Sequence, residues 1–308
     1  MTFIKALRTI LPKEAILTNE PMAKHTTLKI GGPADILVKP NTSEQLRNVY
    51  KLCEDNNWPM VLLGSGSNVL IADEGIRGLV MLTTGLDEIH VDTPLNKKFG
   101  YITAGAGTKL SKLAEAACKA GLSGLEFIHA IPGSVGGAVY MNAGAYEQFI
   151  SGVCVCVTLL VNDKLVDVPV NEMGFDYRTS RLQQGEGIVI KATFRLPYGN
   201  TEEIRTKMNE LNQLRKSKHP QEPSAGSTFK NPKGYAAWEL IKNAGMSGYI
   251  VGGAKMSDKH SNFAVNINNA SADDMCRLLD AVRNKVHEIS NVWLEPEIKI
   301  IGRNYPWM

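Results

Sequence analysis

Apolar residues recur along this chain at two periods, and the switches between them predict its elements. Asp35-Ile-Leu-Val-Lys39 reads as a strand. Thr42 and Gln45 then stand at capping-box spacing, and Leu46, Val49, Tyr50 and Cys53 follow at helical spacing. Pro59 stops that helix. Met60 to Leu63 reads as a short buried strand running straight into Gly64-Ser-Gly-Ser-Asn68. A βαβ-like unit is thus predicted from about Asp35 to Leu82. The next region runs from about Leu86 to Pro197. Its predicted helix, 108–120, aligns Leu110, Leu113, Ala114 and Ala117, with Gly121 as its stop. Residues 153–161 and 188–196 are rich in β-branched side chains and read as strands. Between helix and strands lies a Gly-rich stretch, Gly121 to Gly144.

A helix is predicted over 200–219. Asn200 and Glu203 offer a capping box, and Ile204, Met208, Leu211 and Leu214 form the apolar stripe. Arg215, Lys216 and Lys218 end it as the helix dipole prefers, and Pro220 and Pro223 close it. It reads as a connector into a third unit, 221–302, with helices near 235–244 and 271–289 and strands near 263–267 and 297–301. The tail, 303–308, holds Trp307 but no pattern and reads as a loosely ordered end. No internal repeat or low-complexity segment interrupts the chain.

Composition narrows the class. The chain has 308 residues, 44% hydrophobic and 21% charged, an ordinary globular balance. A net charge of +3 without a basic stripe gives no case for nucleic acid. It is compatible with clefts that concentrate Lys and Arg against phosphates. The five cysteines, Cys53, Cys118, Cys154, Cys156 and Cys276, form no metal-type cluster and suit a reducing compartment. Cys154 and Cys156 read as buried structural thiols on one strand face. The six histidines make no HxH or HExxH spacing, so no catalytic metal is expected. Residues 1–11 lack a signal-peptide core, and no apolar stretch approaches the roughly 20 residues of a membrane span. A soluble, cytoplasmic protein without a membrane partner is expected. The oligomeric state is open, a monomer being compatible.

Two glycine stretches carry candidate chemistry. In Gly64-Ser65-Gly66-Ser67-Asn68, two glycines let backbone approach a ligand closely, and Ser65, Ser67 and Asn68 add donors. The third glycine of a Rossmann fingerprint is missing, and an ordinary tight turn is the competing reading. In Ile131-Pro132-Gly133-Ser134-Val-Gly136-Gly137-Ala138 and Met141-Asn142-Ala-Gly144-Ala-Tyr146, small residues make poor core. They suit backbone pressed against a large flat or phosphorylated ligand. A flexible glycine loop is the alternative, weakened by the anchors Ile131, Val135, Val139 and Met141. Together the two stretches point to one extended ligand such as a dinucleotide.

These stretches, with Thr26-Thr-Leu-Lys-Ile-Gly-Gly-Pro-Ala-Asp35 and Gly124-Leu-Glu-Phe-Ile-His-Ala130, resemble the FAD-binding domain shared by the MurB family and the vanillyl-alcohol-oxidase-type flavoproteins. Ser224-Ala-Gly-Ser-Thr-Phe-Lys-Asn-Pro232, Gly252-Gly-Ala-Lys-Met-Ser257, His260-Ser-Asn-Phe263 and Leu294-Glu-Pro-Glu-Ile-Lys-Ile-Ile-Gly302 resemble MurB in particular. The resemblance runs from about Lys24 to Gly302, with the motifs in the family's order. The short spacing after Ala145 resembles the shorter, type II form. Lys29 stands where the family more often has Arg, which keeps the charge but loses the bidentate fork.

The resemblance implies an α+β fold with two FAD-binding subdomains, 1–85 and 86–200, and a C-terminal α+β substrate-binding subdomain, 201–302, ahead of the 303–308 tail. It implies non-covalent FAD, NADPH as reductant and UDP-N-acetylglucosamine enolpyruvate as substrate, in synthesis of the peptidoglycan precursor of the cell wall. Hydride goes to C3 and a proton to C2. Ser227 matches the proton donor, Arg178 the residue that polarises the substrate carboxylate, and Glu297 a carboxyl that helps the same enolate, for which a raised pKa is expected. Gly64 to Asn68, Pro132, Gly133, Ser134, Gly136, Gly137, Ala138, Asn142, Gly144 and Lys299 fall at cofactor positions. Tyr177, Lys218, Asn231 and Asn262 fall at substrate positions. Each has a plainer reading: Ser227 as a turn cap, Arg178 as a surface cation, Lys218 as a helix-end charge. For Glu297 it is an edge-strand carboxylate, a role Glu295 also fits. Tyr146 could stack on a ligand or sit in the core. The rivals are a flavoprotein oxidase of the same fold and a non-catalytic FAD or UDP-sugar binding protein.

Overall fold

The computed structural model describes residues 3–94 and 98–303. Trp307 and most of the tail expectation lie outside the described residues. The helices are α1 (Phe3–Ile10), α2 (Ser43–Asp55), α3 (Leu110–Lys119), α4 (Val135–Tyr140), α5 (Thr201–Lys218), α6 (Ala237–Asn243) and α7 (Ala272–Ser290). One sheet takes the strands Ile16–Pro21, Pro33–Val38, Ile76–Leu82 and Met60–Leu63 in that order. Helices and strands mix without regular alternation, which is the expected α+β class.

The chain divides into two compact units. One comprises Met1–Leu17, Val38–Ser65 and Val80–Arg215; the other Thr18–Leu37, Gly66–Leu79 and Lys216–Met308. The first contains an antiparallel sheet of Lys164–Pro169, Cys154–Val161, Ile188–Pro197, Phe99–Gly105 and Ile89–Asp92, in that order. Its inner face packs on α3 and α4 around Phe127, Phe194, Leu113 and Val139. α2 begins at Thr42, whose hydroxyl accepts the Gln45 N–H at 3.1 Å. The reciprocal bond lands one residue early, on Asn41 N–H at 2.9 Å. Of the predicted face, Leu46, Val49 and Cys53 are buried and Tyr50 is half-buried. At α5, Asn200 Oδ1 accepts from Glu202 and Glu203 N–H at 2.8 and 3.2 Å, and Ile204, Met208 and Leu211 are buried while Leu214 is not.

In the second unit, α6 and α7 cover a three-stranded antiparallel sheet, Ile250–Val251, Ala254–Met256 and Ala264–Asn266. α7 opens with a full capping box between Ser271 and Asp274, a feature worth about 1 kcal/mol. Val69–Ile71 pairs in parallel with Lys299–Ile301. This pairing brings the residues that follow the first glycine stretch to the end of the chain.

Candidate active site

In the first unit the two glycine stretches meet. A side chain at Gly64 would collide with the Ser134 hydroxyl and lie 4.0 Å from Gly137 N. Ser134 immediately precedes α4 and is buried. Its hydroxyl and that of Ser65 are buried with no hydrogen-bond partner among the described residues. Leaving such a group unmet costs about 1–3 kcal/mol, so two of them at one glycine contact mark a surface that a polar ligand completes. Nearby backbone is partly engaged already: Val135 N–H bonds Thr108 O at 2.9 Å and Gly136 N–H bonds Ala106 O at 2.8 Å.

The glycines separate by what each would meet. A Cβ at Gly136 would sit 3.0 Å from Ala106 Cβ, so this glycine lets α4 pack on the sheet. One at Gly144 would strike the Phe149 ring, so it serves the hairpin of Gly144–Ala145 and Gln148–Phe149. Gly137 is exposed, and its Cβ would meet only Ser134 Oγ, at 3.6 Å. Its missing side chain therefore leaves space outside the protein rather than inside it. Pro132 is exposed, Gly133 O accepts from Leu110 N–H at 3.1 Å, and Ala138 is core. Asn142 braces backbone with both ends of its amide: Nδ2 donates to Asp176 O and Oδ1 accepts from Ser151 N–H, each at 3.1 Å.

Asp176 opens the turn that carries Tyr177 and Arg178. Asp176 and Thr179 exchange backbone bonds at 3.3 and 3.2 Å, and Asp176 Oδ1 accepts the Tyr177 N–H at 2.7 Å. Arg178 occupies the left-handed region, φ 56°, which costs a non-glycine residue about 1–3 kcal/mol. Side chains hold it there. Gln183 Nε2 donates to Arg178 O at 2.9 Å and to Tyr140 O at 3.2 Å, and Ser180 Oγ donates to Tyr140 O at 2.7 Å. At about 0.5–1.5 kcal/mol each, such bonds offset the strain only as a set. The Arg178 guanidinium lies 5.0 Å from the exposed Tyr177 ring, with Nη1 buried.

The second unit gathers Ser227, Asn262, Glu297, Lys299 and the end of the first glycine stretch. Gly226, at φ 79°, supplies the left-handed residue before Ser227. The next residues are gripped from two sides. Thr228 N–H bonds Asn262 O at 2.8 Å, and Thr228 O accepts the Glu297 N–H at 2.9 Å. Asn262 is buried, and its amide spans Phe229, accepting from N–H at 3.0 Å and donating to C=O at 2.8 Å. Thr228 Oγ1 accepts the Ala264 N–H at 2.8 Å. Asn68 Nδ2 donates to Glu297 O at 3.1 Å, and Asn68 O accepts the Lys299 N–H at 3.0 Å. Gly66, at φ 61°, could not carry a side chain without striking His25 O. Thr27 joins both loops: its N–H bonds Gly66 O at 3.0 Å and its hydroxyl donates to Ser224 O at 2.7 Å.

Charges here are distinct. Burial, and then the positive charge of Lys230, pushes the Lys299 pKa down. Glu295 is exposed and ion-paired to Lys230 at 2.5 Å, while Glu297 is half-buried. The carboxylate with a plain surface role is therefore Glu295. Lys218 is exposed at the last position of α5. Asn231 Oδ1 accepts the Ala237 N–H at 3.0 Å, at the start of α6. Lys29 is left-handed, φ 59°. Tyr146 sits on the hairpin corner, its hydroxyl donating to Leu211 O at 3.0 Å.

All five cysteines are free. Burial lifts the Cys154 thiol to about 12 and Cys53 to about 11, beyond easy ionisation. Cys156 is only half-buried, because the register with Ile188–Pro197 shifts between Cys154 and Cys156. Among the described residues no group of three or more His, Cys, Asp or Glu could hold a metal ion. Nor is any helix among them long and apolar enough to cross a membrane. Sequence reasoning missed Gln183 and Thr27 as braces; a Gln in a loop and a Thr ahead of a strand carry no local signal for such work.

Residues 34–163 match the FAD binding domain family, and residues 218–301 match the UDP-N-acetylenolpyruvoylglucosamine reductase C-terminal domain. The chain is 45% identical over 300 residues to UDP-N-acetylenolpyruvoylglucosamine reductase of Clostridium novyi, covering 97% of this chain and 96% of that one. It is 44% identical over 302 residues to the enzyme of the same name from Lachnoclostridium phytofermentans, covering 97% of each. The crystal structure of UDP-N-acetylenolpyruvylglucosamine reductase (MurB) from Thermus caldophilus superposes with a TM-score of 0.76 at 35% identity, covering 92% of this chain and 97% of that one. With both domain families matched in order and near-complete coverage of such relatives, the chain belongs to the UDP-N-acetylenolpyruvoylglucosamine reductase (MurB) family.

Proposed function

We infer that this chain reduces UDP-N-acetylglucosamine enolpyruvate to UDP-N-acetylmuramate with NADPH, a step of peptidoglycan precursor synthesis. The observation that carries the residue roles is the grip of Glu297 on the Ser227 loop through Thr228 O, with Asn68 bonded to the same Glu297 backbone. It joins the cofactor loop, the acid and the carboxyl in one unit. Gly64 to Asn68 and Pro132 to Ala138 would hold FAD without a covalent bond, and that group would supply the hydride chemistry between NADPH and the enolpyruvyl ether. The buried hydroxyls of Ser65 and Ser134 supply donors to that group.

The protein's own work is charge and proton management. Hydride arrival at C3 pushes the C2=C3 electron pair onto C2 and its carboxylate. Arg178 meets that carboxylate, and its fixed charge lowers the energy of the enolate as it forms. Ser227 Oγ–H gives its proton to C2 and recovers one from solvent. A serine is a weak acid, but a carbanion is basic enough to take its proton when well placed. Glu297 assists the same enolate as a neutral, hydrogen-bonding carboxyl. Tyr177, Lys218 and Asn231 bind the UDP-sugar, Lys218 as a point charge for diphosphate. Asn262 is placed with them on the UDP-sugar, and its amide also holds Phe229. Functionally we divide the chain into FAD-binding parts 1–85 and 86–200 and a substrate-binding part 201–302, acting in the cytoplasm. The short hairpin after Gly144 supports the type II form.

The test is anaerobic incubation of the purified yellow protein with NADPH and the enolpyruvyl sugar, read by product mass. A gain of two hydrogens supports the reading. A flavin that NADPH does not reduce, but an alcohol does, would establish the oxidase instead.

A further inference from the structure

Arg178 stands at a corner its residue type resists. The two backbone bonds of that turn join Asp176 to Thr179. The Arg178 carbonyl is held from outside by Gln183, whose amide carries two N–H groups. That amide nitrogen lies 2.9 Å from Arg178 O and 3.2 Å from Tyr140 O, with Met141 Sδ at 3.8 Å. Tyr140 is the last residue of α4, the helix that carries Gly136 and Gly137. Ser180 and Asn142 tie the same two segments together, through Tyr140 O and Asp176 O.

We propose that Gln183 is a positioning residue for the second half of the reaction: it sets the peptide of Arg178 against the end of the cofactor helix, and so aims the guanidinium. It touches neither hydride nor proton. The proposal rests on the reading of Arg178 as the carboxylate-polarising residue. Its chemistry is directional, since both acceptors are carbonyl oxygens and the bridging group must donate twice. A left-handed arginine released from that bridge relaxes toward ordinary backbone and swings its side chain off target.

Two variants of the flavin-loaded enzyme test this. Gln183→Leu keeps the bulk and removes both donors. Gln183→Glu keeps the shape and sets a carboxylate against two carbonyl oxygens. Both are expected to bind FAD normally and to be reduced by NADPH at the wild-type rate. Reoxidation by the enolpyruvyl sugar should slow about 10- to 100-fold, the scale of a small misplacement of a catalytic group, with little change in the substrate concentration for half-maximal rate. Amide hydrogen exchange at Asp176 and Thr179 should quicken in both, a readout independent of turnover. The Glu variant should regain part of its rate as pH falls, because a protonated carboxyl donates once; the Leu variant should not.

Wild-type reoxidation in Gln183→Leu, with Arg178→Lys slowed, would overturn this inference alone. Equal slowing of both half-reactions with loss of flavin would also overturn it, making Gln183 merely structural. Arg178→Lys with unimpaired reoxidation would overturn both this inference and the reading beneath it.

Discussion

Arg178 and Ser227 belong to different units and are held by different means. Arg178 sits at a strained corner clasped by the side chains of Gln183, Ser180 and Asn142. Ser227 precedes a segment bonded on both sides by main chain, to which the side chains of Asn262 and Thr228 add bonds. A main-chain ladder survives most single substitutions, because the N–H and C=O groups remain. A side-chain clasp does not. The charged group proposed to meet a growing enolate is thus the one exposed to remote substitutions, while the proposed proton donor is buffered against them.

The shared requirement on either side of that comparison is the cofactor, and Gly137→Val should have the largest effect. A Cβ there would meet no protein atom closer than 3.6 Å, so folding should survive while flavin binding is lost. Apo-like protein with a melting temperature near wild type is the expected result; a yellow variant with normal flavin content contradicts it. Arg178→Lys keeps the charge but removes the fork. We expect a loss of about 10- to 1,000-fold in reoxidation by substrate, the range of one oriented stabilising group, with flavin reduction by NADPH intact. Stopped-flow absorbance separates the two phases. Asn262→Leu sharpens the contrast by attacking the side-chain part of the Ser227 grip. It leaves Phe229 N–H and C=O unmet, a loss of about 2–4 kcal/mol of stability. Calorimetry checks that figure, and flavin content should hold. A variant as stable as wild type would show that the main-chain ladder suffices alone.

Much of this was legible from the sequence. The strand before Gly64, the face of α2, the caps of α2 and α5, and the serine motif all carry local signals. Other parts carry none. The edge strand Lys164–Pro169 is exposed at most positions, so it shows no apolar alternation. α4 runs through Val-Gly-Gly-Ala, a sequence of low helix propensity; it forms because the carbonyls of Thr108 and Ala106 hold its first turn. The left-handed state of Arg178 is unreadable, since such corners are normally marked by Gly or Asn. The glycines look alike in sequence, yet Gly136 and Gly144 answer to protein neighbours and Gly137 to open space. That distinction comes from packing between segments far apart in the chain.

The measurement closest to the central claim is anaerobic stopped-flow on Ser227→Ala, following flavin absorbance through each half-reaction. Reduction by NADPH requires no proton at C2 and should proceed at the wild-type rate. Reoxidation by UDP-N-acetylglucosamine enolpyruvate should slow by at least about 10²–10⁴-fold, the contribution of one placed general acid. A slowed NADPH phase with wild-type reoxidation would contradict the account and return the serine to cofactor binding or to its turn.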